Sequence, residues 1–240
     1  MENIPIPKLP WNIYWINLDR RPDRKQHMER LLINNQENSF RIQAVDYANN
    51  FYPYEVIKHP KLNGGEHGCT CSHIKALSYF LENTSDEFCF IAEDDLSNKY
   101  SAYWQEKHFE YLKTGSYEIL QLQTTTDCFN SNELIPENKY GAGSTFYKIH
   151  RKIAQKIVNG HFNKETLTVD FTSHNHPVAD LFIWGFGDTY LLPMFTYVDV
   201  KDSDTCDDNK NLNDSWLKFF KNAKDKYLYM WQNLPKETVP

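Results

Sequence analysis

Nowhere in the 240 residues does an uninterrupted apolar run reach the ~18–20 residues that would cross a bilayer. The start, Met-Glu-Asn-Ile-Pro, has neither the basic flank nor the apolar stretch of a secretory signal, so the expectation is a soluble, cytoplasmic protein. Net positive charge is also missing. Against 32 acidic residues stand 26 basic ones, a balance of −6 with histidine neutral. This excludes a general nucleic-acid binder, which needs a basic surface to displace counterions from phosphates. One small basic pocket remains compatible with it. The five cysteines are scattered and odd in number, with no Cys-x-x-Cys pair, so free thiols are expected rather than a zinc ribbon or a disulfide framework. Glycine is scarce too, with nine in the chain, which makes a cluster of them informative.

What is present supports one folded domain. With 40% hydrophobic and 15% aromatic residues the chain can bury a substantial core, unlike a disordered sequence. Strand-like and helix-like stretches alternate, the signature of an α/β domain. Ile13 to Leu18 reads as a strand, and Pro22 opens a helix carrying Met28, Leu31 and Leu32. Phe40 to Val45 is a second strand, and Gly64-Gly65 starts a helix with Ile74, Leu77, Phe80 and Leu81 at helical spacing. Phe88 to Ala92 is a doubly buried strand that ends in three acids. Beyond it the pattern predicts a helix over Tyr103–Leu112, a strand over Tyr117–Leu122, and a strand over Gly143–Ile149 running into a helix from Arg151 to Val158 closed by Gly160. From Asp214, Trp216, Phe219, Phe220, Ala223, Tyr227 and Trp231 share one helical face, with Lys218, Lys221, Lys224 and Lys226 mostly around the other. Packing across the domain is favoured for this helix over peripheral contact with a membrane surface.

Three segments concentrate chemistry. Glu93-Asp94-Asp95 falls at the end of a core strand, where ligands bind in open α/β sheets. Carboxylates ~5 Å apart repel by roughly 3 kcal/mol at an effective dielectric of 20, which a hard divalent cation such as Mg²⁺ or Mn²⁺ offsets. Strand alternation aims Glu93 and Asp95 to one side; a solvated turn rich in acids is the competing reading. Asn17-Leu18-Asp19-Arg20-Arg21-Pro22-Asp23-Arg24 places three guanidinium groups within five positions, suited to a diphosphate, or else to charge pairing with Asp19 and Asp23. Gly64-Gly65-Glu66-His67-Gly68-Cys69-Thr70-Cys71-Ser72-His73 allows close backbone approach, and a helix starting there presents N–H groups to an anion. A zinc site in this stretch is set aside, since its ligands are interleaved and no distant Cys/His cluster completes them. The pair His174 and His176 reads as polar surface, with one of them able to reach a metal at the acids.

Taken in order, Ile16-Asn17-Leu18-Asp19-Arg20-Arg21-Pro22-Asp23-Arg24, Gly65-Glu66-His67-Gly68-Cys69 with Ser72-His73-Ile74-Lys75-Ala76, and Ile91-Ala92-Glu93-Asp94-Asp95 resemble the signatures of glycosyltransferase family 25. That family includes lipooligosaccharide and collagen galactosyltransferases. Gly141 to Val158 and Pro177-Val178-Ala179-Asp180 resemble its later segments, so the likeness covers about residues 11–206. The resemblance implies a GT-A fold, a Rossmann-like mixed sheet flanked by helices, with a nucleotide-sugar half (11–125), an acceptor half (126–208) and the amphipathic tail (209–240). It implies a UDP-sugar donor, a glycan or protein acceptor and Mn²⁺ (or Mg²⁺). Carried onto this sequence, Glu93 and Asp95 are the metal residues, with Glu93 and Asp94 also facing the donor. Asn17, Leu18, Arg20 and Arg24 line the uridine and phosphate side, and Ser72, His73 and Lys75 lie near the donor. No histidine follows His176, so Asp202, Asp204, Asp207 or Asp208 would stand in for a late-chain histidine ligand.

The reaction so implied is transfer of a hexose, galactose by family tendency, with inversion. Asp180 is the candidate base, an acid within the apolar stretch Val178–Trp184; a carboxylate satisfied by helix-start N–H groups is the alternative. A catalytically silent glycan- or nucleotide-binding module of the same fold is the rival from another class.

Overall fold

The computed structural model describes residues 5–47, 55–125, 135–136, 143–175 and 177–198, and, in the tail, 221–222, 224–226, 228–230 and 232–233. In chain order the elements are β1 (Ile13–Asn17), α1 (Pro22–Leu31), β2 (Ser39–Gln43), β3 (Glu55–Val56), α2 (Gly64–Asn83), β4 (Phe88–Glu93), β5 (Leu96–Ser97) and α3 (Glu106–Lys113). There follow β6 (Ile119–Gln121), β7 (Ile135–Pro136), β8 (Phe146–His150), α4 (Arg151–His161), β9 (Phe162–Asn163), β10 (Thr168–Val169), α5 (Ala179–Trp184), β11 (Thr189–Leu191) and β12 (Thr196–Tyr197).

A seven-stranded mixed sheet in the order β2-β1-β4-β8-β6-β11-β7 forms the centre. β1 runs parallel to β2 and β4, with Ile16 opposite Ile42 on one side and Glu93 on the other. β8 is antiparallel to both β4 and β6, so a late strand is inserted between two early ones. The 11–125 and 126–208 segments therefore share one sheet. Two small sheets, three-stranded β3-β10-β9 and two-stranded β5-β12, sit outside it.

The central strands are buried on both faces, which is why they read as continuous apolar runs. Alternation sends Tyr14 and Ile16 of β1 into one core with Ile74, Leu77 and Phe80 of α2 and Ile153 and Ile157 of α4. Ile13 and Trp15 go into the opposite core with Met28 and Leu31 of α1 and Leu112 of α3. Lys148 is fully buried in β8. Its Nζ donates to the Tyr111, Leu112 and Thr114 carbonyls at the end of α3 and lies 5.0 Å from the Phe88 ring centroid. Burial pushes this amine down to about 8.

Two helices start or stop where the sequence pattern did not place them. α3 begins at Glu106 because Trp104 is extended, its indole N–H donating to the Met194 carbonyl at 3.1 Å and its ring against Phe195. α4 passes through Gly160 and stops at Phe162, where the chain enters β9. In the tail, the described residues from Lys221 to Gln232 are helical, and Leu228 and Met230 pack on the second core. Trp216, Lys218, Phe219, Phe220, Ala223, Tyr227 and Trp231 lie outside the described residues, as do His176, Asp202, Asp204, Asp207 and Asp208. No helix of the described residues is long and apolar enough to cross a membrane.

Candidate active site

The parallel strands β1 and β4 end side by side, and the chain leaves each as a turn carrying polar residues, the position where open α/β sheets bind ligands. α2 overhangs this edge. Its start is fixed by a capping box: Asn63 Oδ1 accepts from the Glu66 amide at 2.8 Å, and Glu66 Oε2 accepts from the Asn63 amide at 2.9 Å. Gly64 and Gly68 let the helix lie directly on the segment after β2. A Cβ at Gly68 would come 2.9 Å from the Val45 carbonyl oxygen, and one at Gly64 would enter the Tyr47 ring. These two glycines thus serve helix-to-loop contact.

The resulting cleft is lined by Asn17, Leu18, Arg20 and Arg24 from the end of β1 onward, by Val45, Asp46 and Tyr47 after β2, by Cys69, Ser72 and His73 of α2, and by Glu93, Asp94 and Asp95 from the end of β4 onward. Each acid has a different environment. Glu93 Oε1 accepts from Ser144 Oγ at 2.6 Å and lies 3.2 Å from His73 Nε2. Burial would raise its carboxyl, but the His73 and Ser144 hydrogen bonds outweigh it and hold the group below the usual range. Asp94 is 7% exposed and bonds Asn17 Nδ2 at 2.7 Å and Arg24 Nη1 at 2.9 Å. Its carboxyl is nevertheless raised, because burial exceeds what those partners return. Asp95 is pushed up to about 7, by burial first and then by the Glu93 charge. Its Oδ1 is buried with no hydrogen-bond partner.

That orphaned oxygen is the observation that fits a hard cation. Mn²⁺ and Mg²⁺ take oxygen ligands, and a carboxylate left without a donor beside a second carboxylate gains most from one. Asp94 does not share this property, since both its oxygens already hold donors.

The side chains named from the sequence are not equally placed. Asn17 lines the cleft, yet its amide is taken by Asp94, the Arg21 carbonyl and Arg41, so it acts as a bracket between strands. Ser72 likewise links the Gly68 carbonyl to the Val45 amide. Arg20 pairs with Asp46 at 3.2 Å, while Arg21 pairs with Asp23 and Asp19 with Arg41. Lys75 points away, its Nζ donating to the Gln43 carbonyl at 2.8 Å, and it is not among the lining residues. Asp180, in the first turn of α5, accepts from the Gly143 amide and from its own neighbour Leu181, each at 2.9 Å. Burial raises its carboxyl against those two hydrogen bonds. His174 stands apart, with Nε2 3.3 Å from His161 Nε2.

Sequence reasoning missed Asp46, Tyr47, Ser144 and Tyr147, the last with its hydroxyl 3.0 Å from His73 Nδ1. Asp46 carried a usable signal, an acid just past the end of β2 as Glu93 is at the end of β4. Ser144 and Tyr147 carried none: they do not line the cleft but back its Glu93 and His73, brought there by the nonlocal insertion of β8 and the residues just before it.

The model of glycosyltransferase family 25 (LPS biosynthesis protein) matches residues 11–173. No curated protein matches the chain. Among solved structures it is similar to the crystal structure of A197 from STIV, at 12% identity and a TM-score of 0.43 over 77% of this chain and 83% of that one. A likeness of that size bears on neither fold detail nor function. The family match spans more than half of the chain and contains every motif that meets at the cleft, so the chain belongs to glycosyltransferase family 25 and is a glycosyltransferase.

Proposed function

We propose that the protein moves a hexose, galactose in the first instance, from a UDP-sugar to a hydroxyl of a glycan or protein acceptor, with inversion, and that its sheet and cleft form a GT-A arrangement. The observation that carries this reading is the meeting of the arginine-rich, glycine-rich and acidic motifs in one cleft beyond the ends of β1 and β4. Residues 11–125 supply most of the donor side, and the acceptor enters from the side of 126–208.

Asp95 and Glu93 would hold Mn²⁺ or Mg²⁺. When bound, the cation offsets charge on the departing nucleoside diphosphate. Arg20, paired with Asp46, and Arg24, paired with Asp94, both line the cleft and face the phosphates. His73, held between Tyr147 and Glu93, keeps the Glu93 carboxylate ionised and aimed. Asp180 accepts the proton of the acceptor hydroxyl while the oxygen of that hydroxyl bonds to the anomeric carbon; the bond from that carbon to the diphosphate breaks, and UDP leaves with the electron pair. The Gly143 and Leu181 amides fix this carboxylate, and burial makes it a stronger base than an ordinary aspartate.

The rival reading, a silent binding module, draws on the same two amides, which already satisfy Asp180 as an ordinary helix-start acid. Donor hydrolysis across a panel of UDP-galactose, UDP-glucose and UDP-N-acetylglucosamine with Mn²⁺ decides between them. Turnover of one donor names the sugar; no turnover of any leaves the silent module.

A further inference from the structure

Two residues of the glycine-rich segment have a second capability. Cys69 and His73 are four apart on α2 and therefore stand one turn above the other on the same face. Glu93 reaches them from the end of β4. The donor atoms of Cys69, His73 and Glu93 all lie within 4.8 Å of one another. His67 and Cys71 do not join them: His67 faces Phe171 and His59, and Cys71 is in the core.

We propose that Cys69, His73 and Glu93 form a binding site for a borderline divalent cation, Zn²⁺ or Co²⁺, with an open position toward the cleft. The ligand set decides the class of ion. One cysteine sulfur, one imidazole and one carboxylate match zinc, whereas the hard cations avoid sulfur; burial and the nearby acids keep the Cys69 thiol protonated without metal, so coordination releases its proton to solvent. Three protein ligands with an open fourth position is the arrangement of reactive rather than structural zinc.

The surroundings are those of a built site. His73 Nε2 already lies 3.2 Å from Glu93 Oε1, close to the edge of a metal tetrahedron of about 3.3 Å for N and O ligands. Its Nδ1 lies 3.0 Å from the Tyr147 hydroxyl, which both donates and accepts. The ring can therefore move its proton from Nε2 to Nδ1, donate to Tyr147, and present a lone pair to the metal. Ser144 donates to Glu93 at 2.6 Å and orients the carboxylate. The α2 capping box and the glycine contacts to Val45 and Tyr47 fix where Cys69 stands. Because Glu93 also belongs to the hard-cation site proposed above, the two ions compete for it, and Zn²⁺ displaces or excludes Mn²⁺.

The test uses the full chain stripped with chelator and titrated with Co²⁺, without UDP or donor. A thiolate-to-cobalt charge-transfer band is expected with tetrahedral d–d bands, bleached by Zn²⁺ and untouched by equal Mg²⁺. Cys69→Ser is expected to lose the charge-transfer band, and His73→Gln to weaken binding by at least about tenfold. Cys128→Ser and Cys206→Ser are expected to keep the band. The proposal is overturned by a cobalt spectrum without the band in the wild-type protein, or by a band that survives Cys69→Ser or vanishes in the other two variants. Folding of each variant is checked by circular dichroism, and Cys69→Ala, held to the same expectation, stands in if Cys69→Ser does not fold. No part of this depends on sugar transfer, so failure here leaves the transferase reading standing.

Discussion

Arg24 and Asp94, 70 positions apart in sequence, meet as a nearly buried ion pair with Nη1 2.9 Å from Oδ1. The contact ties the turn after β1 to the turn after β4 and makes two motifs one unit. Breaking such a pair strands a charge, so Arg24→Met is expected to cost about 3 kcal/mol. Adding Asp94→Asn to that variant should recover part of the loss, since the stranded carboxylate is then gone. Urea unfolding of the two single variants and the double gives the coupling; strictly additive losses would show that the pair is not a unit.

Asp95 makes the metal-free fold pH-sensitive. Its folded-state value is raised from 3.8 to about 7, so the folded protein holds a proton that the unfolded chain releases. Stability from this group is fully present below about pH 3.8 and is lost as pH rises through about 7. Asp95→Asn should therefore raise Tm at pH 8 in chelator, by about 2–6 °C, and leave it nearly unchanged at pH 4. Divalent-cation affinity of the wild type should rise with pH through the same window, because the cation displaces that proton. A variant no more stable at pH 8 than the wild type contradicts the burial of this carboxyl.

Asp180→Asn should lower transfer by about 10²–10⁴-fold while leaving UDP affinity within about twofold. Asn keeps an acceptor for the Gly143 amide and gives up only the one for the Leu181 amide at the start of α5, so the fold should hold. Steady-state rates with the active donor and calorimetric UDP binding separate the two quantities. Turnover at the wild-type rate removes Asp180 from the chemistry.

Gly68→Ala should destabilise the protein by about 1–3 kcal/mol and weaken donor binding, because a Cβ 2.9 Å from the Val45 carbonyl must push α2 and the 44–47 segment apart. Gly160→Ala is the control. Nothing stands within 4 Å of its Cβ and the site is helical, so it should stabilise slightly. Denaturant melts of both variants check the contrast.

How much of this was legible in the sequence depended on locality. β1, α1, α2 and β4 announce themselves through apolar period, Pro22 and the acids after Ala92, and the structure places them within a residue or so. The start of α3 was hidden because a distant partner, the Met194 carbonyl, holds Trp104 extended. The insertion of β8 between β4 and β6 was hidden for the same reason, and with it Ser144 and Tyr147. At the cleft, residue type was legible and direction was not. Lys75 follows His73 by two positions, and helical geometry turns it toward Gln43 instead. Asn17 and Ser72 were expected at the donor and do line the cleft, but their engagement with Asp94 and Val45 could be seen only in three dimensions.

The central claim is that this cleft binds a nucleoside diphosphate together with a divalent cation. Thermal shift of the full chain with UDP alone, Mn²⁺ alone and both tests it most directly. The account predicts a small change with either and, at about 100 times the dissociation constant, a joint rise of about 5–10 °C that Asp95→Asn abolishes. No rise with the pair would contradict it.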